Sequence, residues 1–390
     1  MHVFAKILAL VILVFVPSFV CAAGNAEQFV PAELPINIIG EDYATAKVLT
    51  VYREVRNTIA GYDHLMQKLH LRILSGPDAG QEFDADHGML HDQQSLKLGP
   101  GDIVTLQTLR QSDGVVRRII RDPYRLPAIG WLIVIFAFLC VLFGGIRGLT
   151  SIVGLFTSVA ILFFFVVPFI AAGYDPLVVS IMGSYAIAFT SLYLAHGFSK
   201  RTSVALLSTC ITLALAVIAA VLSVYATNLL GMGSEESMYL VTGQFSGINL
   251  RGLLIGGCII GALGVLDDIT TAQTAGIHEL TKANPSMTFA ELYAAGMSIG
   301  REHIASLINT LALAYVGASL PLMLLFRQDG NLPMWVVLNG EFIAQEIVRT
   351  LIGSTALLLA VPISTWCAVY FLRNRTGRTL PASCGHIHIH

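Results

Sequence analysis

The stretch Ile248–Gln273, INLRGLLIGGCIIGALGVLDDITTAQ, decides the fold. It is long and apolar enough to cross a bilayer, which takes about 20 residues. Yet it carries two adjacent carboxylates, Asp267 and Asp268. An acid at a helix centre costs roughly 2.5–3.5 kcal/mol on insertion scales. Such a pair survives in lipid only when it faces protein or water inside a helix bundle. Gly252, Gly256, Gly257, Gly261 and Gly264 on the same stretch permit close helix approach and place it at the bundle centre.

Working outward, the composition agrees. Apolar residues make up 55% of the chain and charged residues only 12%, so one or more membrane spans dominate. The charges are uneven: residues 24–127 hold 14 acidic and 11 basic side chains, whereas the longer remainder from Ala128 onward holds 11 of each. A polar domain therefore precedes a membrane domain. The net charge of −2 gives no reason to expect a nucleic-acid partner. Residues 1–23 read as a signal peptide, with Lys6, an apolar run from Ile7 to Val20 and small residues at Cys21-Ala22-Ala23. An uncleaved anchor helix is the other reading. Either sends the next segment across the membrane.

The exported domain, residues 24–127, reads as β-rich. Ala44–Tyr52, Lys68–Leu74, Ile103–Leu109 and Val115–Arg121 alternate or are β-branched, and Gly76-Pro77, Gly80, Gly99-Pro100-Gly101 and Asp113-Gly114 punctuate them. A compact barrel or sandwich of about four to six strands is expected, with a short helix near Tyr52–Tyr62. It has no cysteine and must fold on its apolar core alone.

Seven spans follow within residues 128–372, near Ala128–Ile146, Leu149–Ala172, Pro176–His196, Ser203–Leu230, Ile248–Gln273, His303–Phe326 and Phe342–Leu372. Residues 373–390 form a tail. With the β domain outside, the inner loops carry Arg147, Lys200, Arg201, Lys282, Arg301, Arg373, Arg375 and Arg378. The outer loops carry only Arg251 and Arg327, which sets the N-terminus out and the C-terminus in. The loop between spans five and six holds a capping box, Thr288 with Glu291, before an apolar face of Phe289, Leu292, Tyr293 and Met297. A short helix along the inner surface is expected there.

Depth brings polar residues together. Asp267, Asp268, Asn309 and Thr310 fall at comparable levels, with His303 at the inner mouth and Gln273 and His278 below. Carboxylates and imidazoles there can titrate or strip a hydrated ion, so a proton or cation site is expected. The bland alternative is that the acids are structural. Glu346 and Arg349, at i and i+3 on the last span, can pair as an outer lock or gate; Glu341 reads as a solvated helix start. FDADHGMLHD (residues 83–92) could hold a divalent cation but suits a solvated acidic loop better, and the Cys384, His386, His388, His390 tail suits a free tail better than a metal site. No enzyme signature, metal site or cofactor is identified.

GALGVLDDITTAQ (residues 261–273), GREHIASLINTLALAYVGASLPLMLLF (300–326) and EIVRTLIGSTALLLAVPIST (346–365) resemble the bacterial YibE/YibF-like integral membrane family. The resemblance covers the membrane half and implies a multipass inner-membrane protein, with transport suggested. Spans five to seven are more faintly similar to protein-export subunits and resistance-nodulation-division permeases, although no second matching half is present. The expected protein is a polytopic α-helical membrane bundle with a small β-rich exported domain. It would act as a permease on a small solute or ion, alone, as a homo-oligomer or beside a partner membrane protein. The alternative is a non-transporting envelope sensor, scaffold or accessory subunit.

Overall fold

A computed structural model describes residues 38–59, 62–88, 97–111, 115–243, 247–321, 324 and 333–373. The signal segment, the C-terminal tail, His91 with Asp92, and Arg327 lie outside these. The chain forms two compact units, Val30–Leu139 and Cys140–His390.

The first unit is built on a five-stranded antiparallel sheet ordered β3-β2-β1-β4-β5. Strand β1 (Ile38–Ile59) is long enough to pair with β4 (Ile103–Gln111) over its first half and β2 (Tyr62–Ile73) over its second. β3 (Glu82–His87) and β5 (Val116–Pro123) are the edges. Alternation puts Ala46, Val48, Leu69, Leu71, Val104, Leu106 and Ile120 on one buried face. Register shifts after Val48 and Val51 curl β1. The curl brings the edges together, where Arg118 of β5 lies over the Phe83 ring of β3, 4.9 Å from its centroid. Gln67 locks the rim, exchanging two hydrogen bonds with the Leu98 backbone at 2.9 and 3.0 Å. The helix expected near Tyr52–Tyr62 is instead the second half of β1, because β2 supplies a full ladder of partners that outweighs a weak local helical preference.

Five helical stretches are long and apolar enough to cross a membrane: α1 (Leu126–Ala171), α2 (Pro176–His196), α3 (Lys200–Ala226), α5 (Leu250–Ala283) and α8 (Glu341–Leu372). Between them lie α4 (Glu235–Thr242), α6 (Phe289–Ala318) and α7 (Met334–Asn339). α1 holds both of the first two expected spans. It is broken at Gly145 (φ 56°, ψ −138°), and the bend presses Gly148 onto the Cys140 carbonyl, where a Cβ would collide.

The remaining long helices alternate in direction. Gly252 and Gly256 of α5 lie against Leu177 and Ser180 of α2, so these two run parallel. Thr270 of α5 meets Thr209 of α3, and Arg251 meets Leu229 beyond the α3 end, so these are antiparallel. α6 runs back along α5 and α8: Gly300 sits beside Gln273 and Val361, and Tyr315 beside Gly261 and Gly353. The capping box forms, with Glu291 Oε2 accepting from the Thr288 N–H at 2.8 Å and the Glu291 N–H donating to Thr288 Oγ1 at 3.3 Å. The expected separate surface helix does not. Phe289, Leu292 and Tyr293 dock in a cluster with Val204, Ile277 and Leu372, and the helix continues unbroken to Ala318. A face that buries against other helices gains more than one left in the headgroups.

Candidate functional site

α5 is in contact with α2, α3, α6 and α8, as its glycines predict. At Gly256 a side chain would collide with Ser180, its Cβ 2.8 Å from the serine Cβ. This close approach carries α2 along α5 toward the acids. Asp267 lies roughly 26 Å along α5 from Leu250 at 1.5 Å per residue. It is partly buried and faces Ser191 of α2. Its Oδ1 is buried without a hydrogen-bond partner, and no ion pair to Asp267 exists among the described residues. Asp268, one residue on, is exposed and senses His196, the last residue of α2. His196 in turn lies within electrostatic range of Arg147 and Arg201, so charged groups gather near the end of α2. Ser191 lies five residues before His196, roughly 7 Å back along the helix.

The other expected partners are elsewhere. His303, Asn309 and Thr310 are exposed on α6, and Thr310 Oγ1 bonds back to the Leu307 carbonyl at 3.0 Å. α6 turns Gly300, Ile304, Leu307 and Ile308 toward the core instead. Asp267 looks to α2, on the opposite flank of α5. The structure therefore does not assemble Asp267 and Asp268 with Asn309, Thr310 and His303.

It does assemble a layer that sequence reasoning missed. Where α3, α5 and α8 converge, Ser208, Thr209, Thr212, Thr270, Thr274, Ser364 and Thr365 are all fully buried. Thr209 and Thr270 hydroxyls meet at 2.7 Å across two helices. Gln273 Nε2 donates to the Gly296 carbonyl at 2.6 Å and to Thr365 Oγ1 at 2.8 Å, tying α5 to α6 and α8. Thr274 Oγ1, Thr271 Oγ1 and Gln273 Oε1 have no hydrogen-bond partner among the described residues. The available signal was hydroxyl spacing at i and i+4 within apolar spans, at 208/212 and 270/274.

Glu346 and Arg349 do pair, at 3.5 Å. Arg349 also reaches buried Cys258 of α5, so the guanidinium links α8 to α5. Glu341 is not simply solvated: its Oε1 accepts from the backbone N–H groups of Leu230, Gly231 and Met232 at 2.8, 2.8 and 3.0 Å. In the sheet unit, His70 Nδ1–H donates to Asp84 Oδ1 at 2.7 Å, while Asp86 and His87 line a pocket. Among the described residues no three His, Cys, Asp or Glu side chains converge as metal ligands.

The stretches that build this arrangement, from α1 to the end of α8, coincide with a family model described as YibE/F-like protein, which matches residues 132–374. The chain belongs to the YibE/F-like family. With its five membrane-length helices, this YibE/F-like chain is a membrane protein. No curated protein and no solved structure matches it.

Proposed function

We propose that this YibE/F-like protein is a permease of the bacterial inner membrane in which Asp267 is a proton- or cation-sensitive carboxylate. The sheet domain would lie outside and the C-terminus inside, the orientation that the basic loop residues favour. The observation that carries the reading is the Asp267 Oδ1 atom, buried beside α2 with no partner and no countercharge among the described residues. A structural acid at that depth would be expected in a closed ion pair.

The chemistry follows from the neighbour. Ionised, Asp267 accepts a hydrogen bond from the Ser191 hydroxyl. Protonated, it can donate one to Ser191 or to a passing solute. The α2–α5 contact then differs between the two charge states, and Asp268 with His196 forms the polar mouth through which a proton or cation arrives. Glu346 and Arg349 would act as a lock near the other end.

The test is flux in proteoliposomes enclosing a pH-sensitive dye. Asp267→Asn is expected to abolish proton-coupled flux and Asp267→Glu to retain part of it, with unchanged elution of all variants on size exclusion. Equal flux in the wild type, Asp267→Asn, Asp268→Asn and the double variant would sink the proposal. One observation favours a second reading, an envelope sensor: the sheet domain holds a pocket of about 300 Å³ lined by Arg53, Gln67, Lys68, Asp86 and His87. On that reading pocket substitutions would abolish the phenotype while Asp267→Asn would not.

A further inference from the structure

The outward face of α6 is polar where lipid would be expected. His303, Ser306, Asn309 and Thr310 are exposed at i, i+3, i+6 and i+7, and Leu313 and Ala314 continue the face. Asn309 lies between the levels of Gly300 and Tyr315. Those two abut Gln273 and Gly261 of α5, and Val361 and Gly353 of α8, the central turns of two membrane-length helices. The Asn309 amide makes no hydrogen bond among the described residues. An amide at that depth cannot be left to hydrocarbon, because lipid tails offer neither donor nor acceptor.

Among the described residues, few other outward side chains offer hydrogen bonds to cover it. The first arm of α1, residues 126–144, carries no hydrogen-bonding side chain besides Trp131 and the thiol of Cys140. The outward residues Ile211, Leu215, Ile218 and Leu222 of α3 are aliphatic, and on α8 the outward Leu351, Thr355 and Leu358 offer a single hydroxyl. α6 itself is the complement. Across a two-fold axis along the membrane normal, an asparagine amide meets its own copy and supplies both donor and acceptor. No Lys, Arg, Asp or Glu lies between His303 and Leu313, so the symmetric contact sets no fixed like charges together. Ser306, Thr310 and Ala314 are small residues spaced by four, which lets two backbones approach closely.

We propose that this face is a homodimer interface: α6 of a second copy packs against it, with Asn309 paired to Asn309 at the centre. The proposal does not rest on Asp267. A photo-crosslinking residue placed at Ser306 or Leu313 in the full chain, irradiated in native membranes, should give an adduct of twice the 42.0 kDa chain mass. The same residue at Ile218 should not. Asn309→Leu, which suits lipid better than the native amide, should cut the dimer adduct at least about tenfold while leaving a stable, monodisperse monomer. Thr310→Val should cut it less. Adducts confined to lipid, to the same chain or to a protein of another mass would overturn the proposal. So would a dimer adduct insensitive to Asn309→Leu.

Discussion

Removing the Glu341 carboxylate should release a loop more than a hundred residues away in sequence. One oxygen of Glu341 gathers three successive N–H groups, those of Leu230, Gly231 and Met232, at 2.8–3.0 Å. The loop can present them because Asn228 (φ 53°) and Gly231 (φ 84°) both take left-handed backbone conformations. Arg251 grips the same loop, donating to the Leu229 carbonyl at 2.8 Å while lying over the Tyr225 ring. Each hydrogen bond to a charged group contributes about 1.5–3 kcal/mol. Leu230 and Met232 are exposed, so water replaces much of their share, whereas Gly231 is buried and its N–H is left without compensation. The net loss for Glu341→Ala is therefore about 2–3 kcal/mol of local stability. In hydrogen exchange of the purified protein, that corresponds to a fall of about 30- to 150-fold in protection of the three amides. Glu341→Gln keeps an acceptor oxygen but loses its charge, so a fall of about fivefold is expected. If these amides exchange equally in the wild type and in Glu341→Ala, the clamp does not exist in the membrane protein.

Two further predictions concern packing and the sheet domain. Gly300→Ala should destabilise the bundle by about 1–3 kcal/mol, because the new methyl would collide with buried Val361, and Val361→Ala in the same chain should recover part of that loss in thermal unfolding. The hydrogen bond that His70 donates to Asp84, with a smaller contribution from Glu82, holds the His70 imidazole above its ordinary pKa, so its ring titration by NMR should have a midpoint above about 6.5 that falls in Asp84→Asn. The contribution of this contact to folding is then fully present below pH about 6.5 and lost as pH rises through the raised midpoint; an unchanged midpoint in Asp84→Asn refutes the pairing.

What could be read from the chain follows a physical divide. Period and polarity are local, so the strands around Val48, Leu69 and Leu106 and the long apolar helices could be placed from sequence, as could the Thr288–Glu291 cap. Gly252 and Gly256 announced close packing of α5, because a missing side chain has few other uses in a span. Facing is not local. Asn309 and Asp267 share a depth, but which flank of α5 each occupies depends on the rotation of α6, and Gly300 and Tyr315 set that rotation through partners on α8. The hydroxyl layer of Thr209, Thr270 and Thr365 was hidden for a related reason. A Ser or Thr in an apolar span can bond its own preceding turn, as Thr270 does to Leu266 at 2.9 Å, so the i, i+4 spacing alone does not say that three helices will bring such residues together. Glu341 was misread because its partners are backbone groups, which carry no residue signature.

The two polar sites on α5 are best understood as one mechanical unit. Cys258, beside Arg349, and Asp267, beside Ser191, are nine residues apart on a single helix, roughly 13 Å. Between them α5 presents mostly small or aliphatic side chains, with Gly261 and Gly264 offering least resistance to sliding. A helix does not compress, so if Asp267 acts as proposed, any shift of α5 against α2 would reappear at Arg349, whose Nε is buried without a hydrogen-bond partner among the described residues. Gln273 restrains α5 from the other side, because its amide is bonded to both Gly296 and Thr365. Under the proposed coupling, a shift of α5 along its axis would therefore strain the Arg349 contact to Cys258 and the Gln273 bonds together.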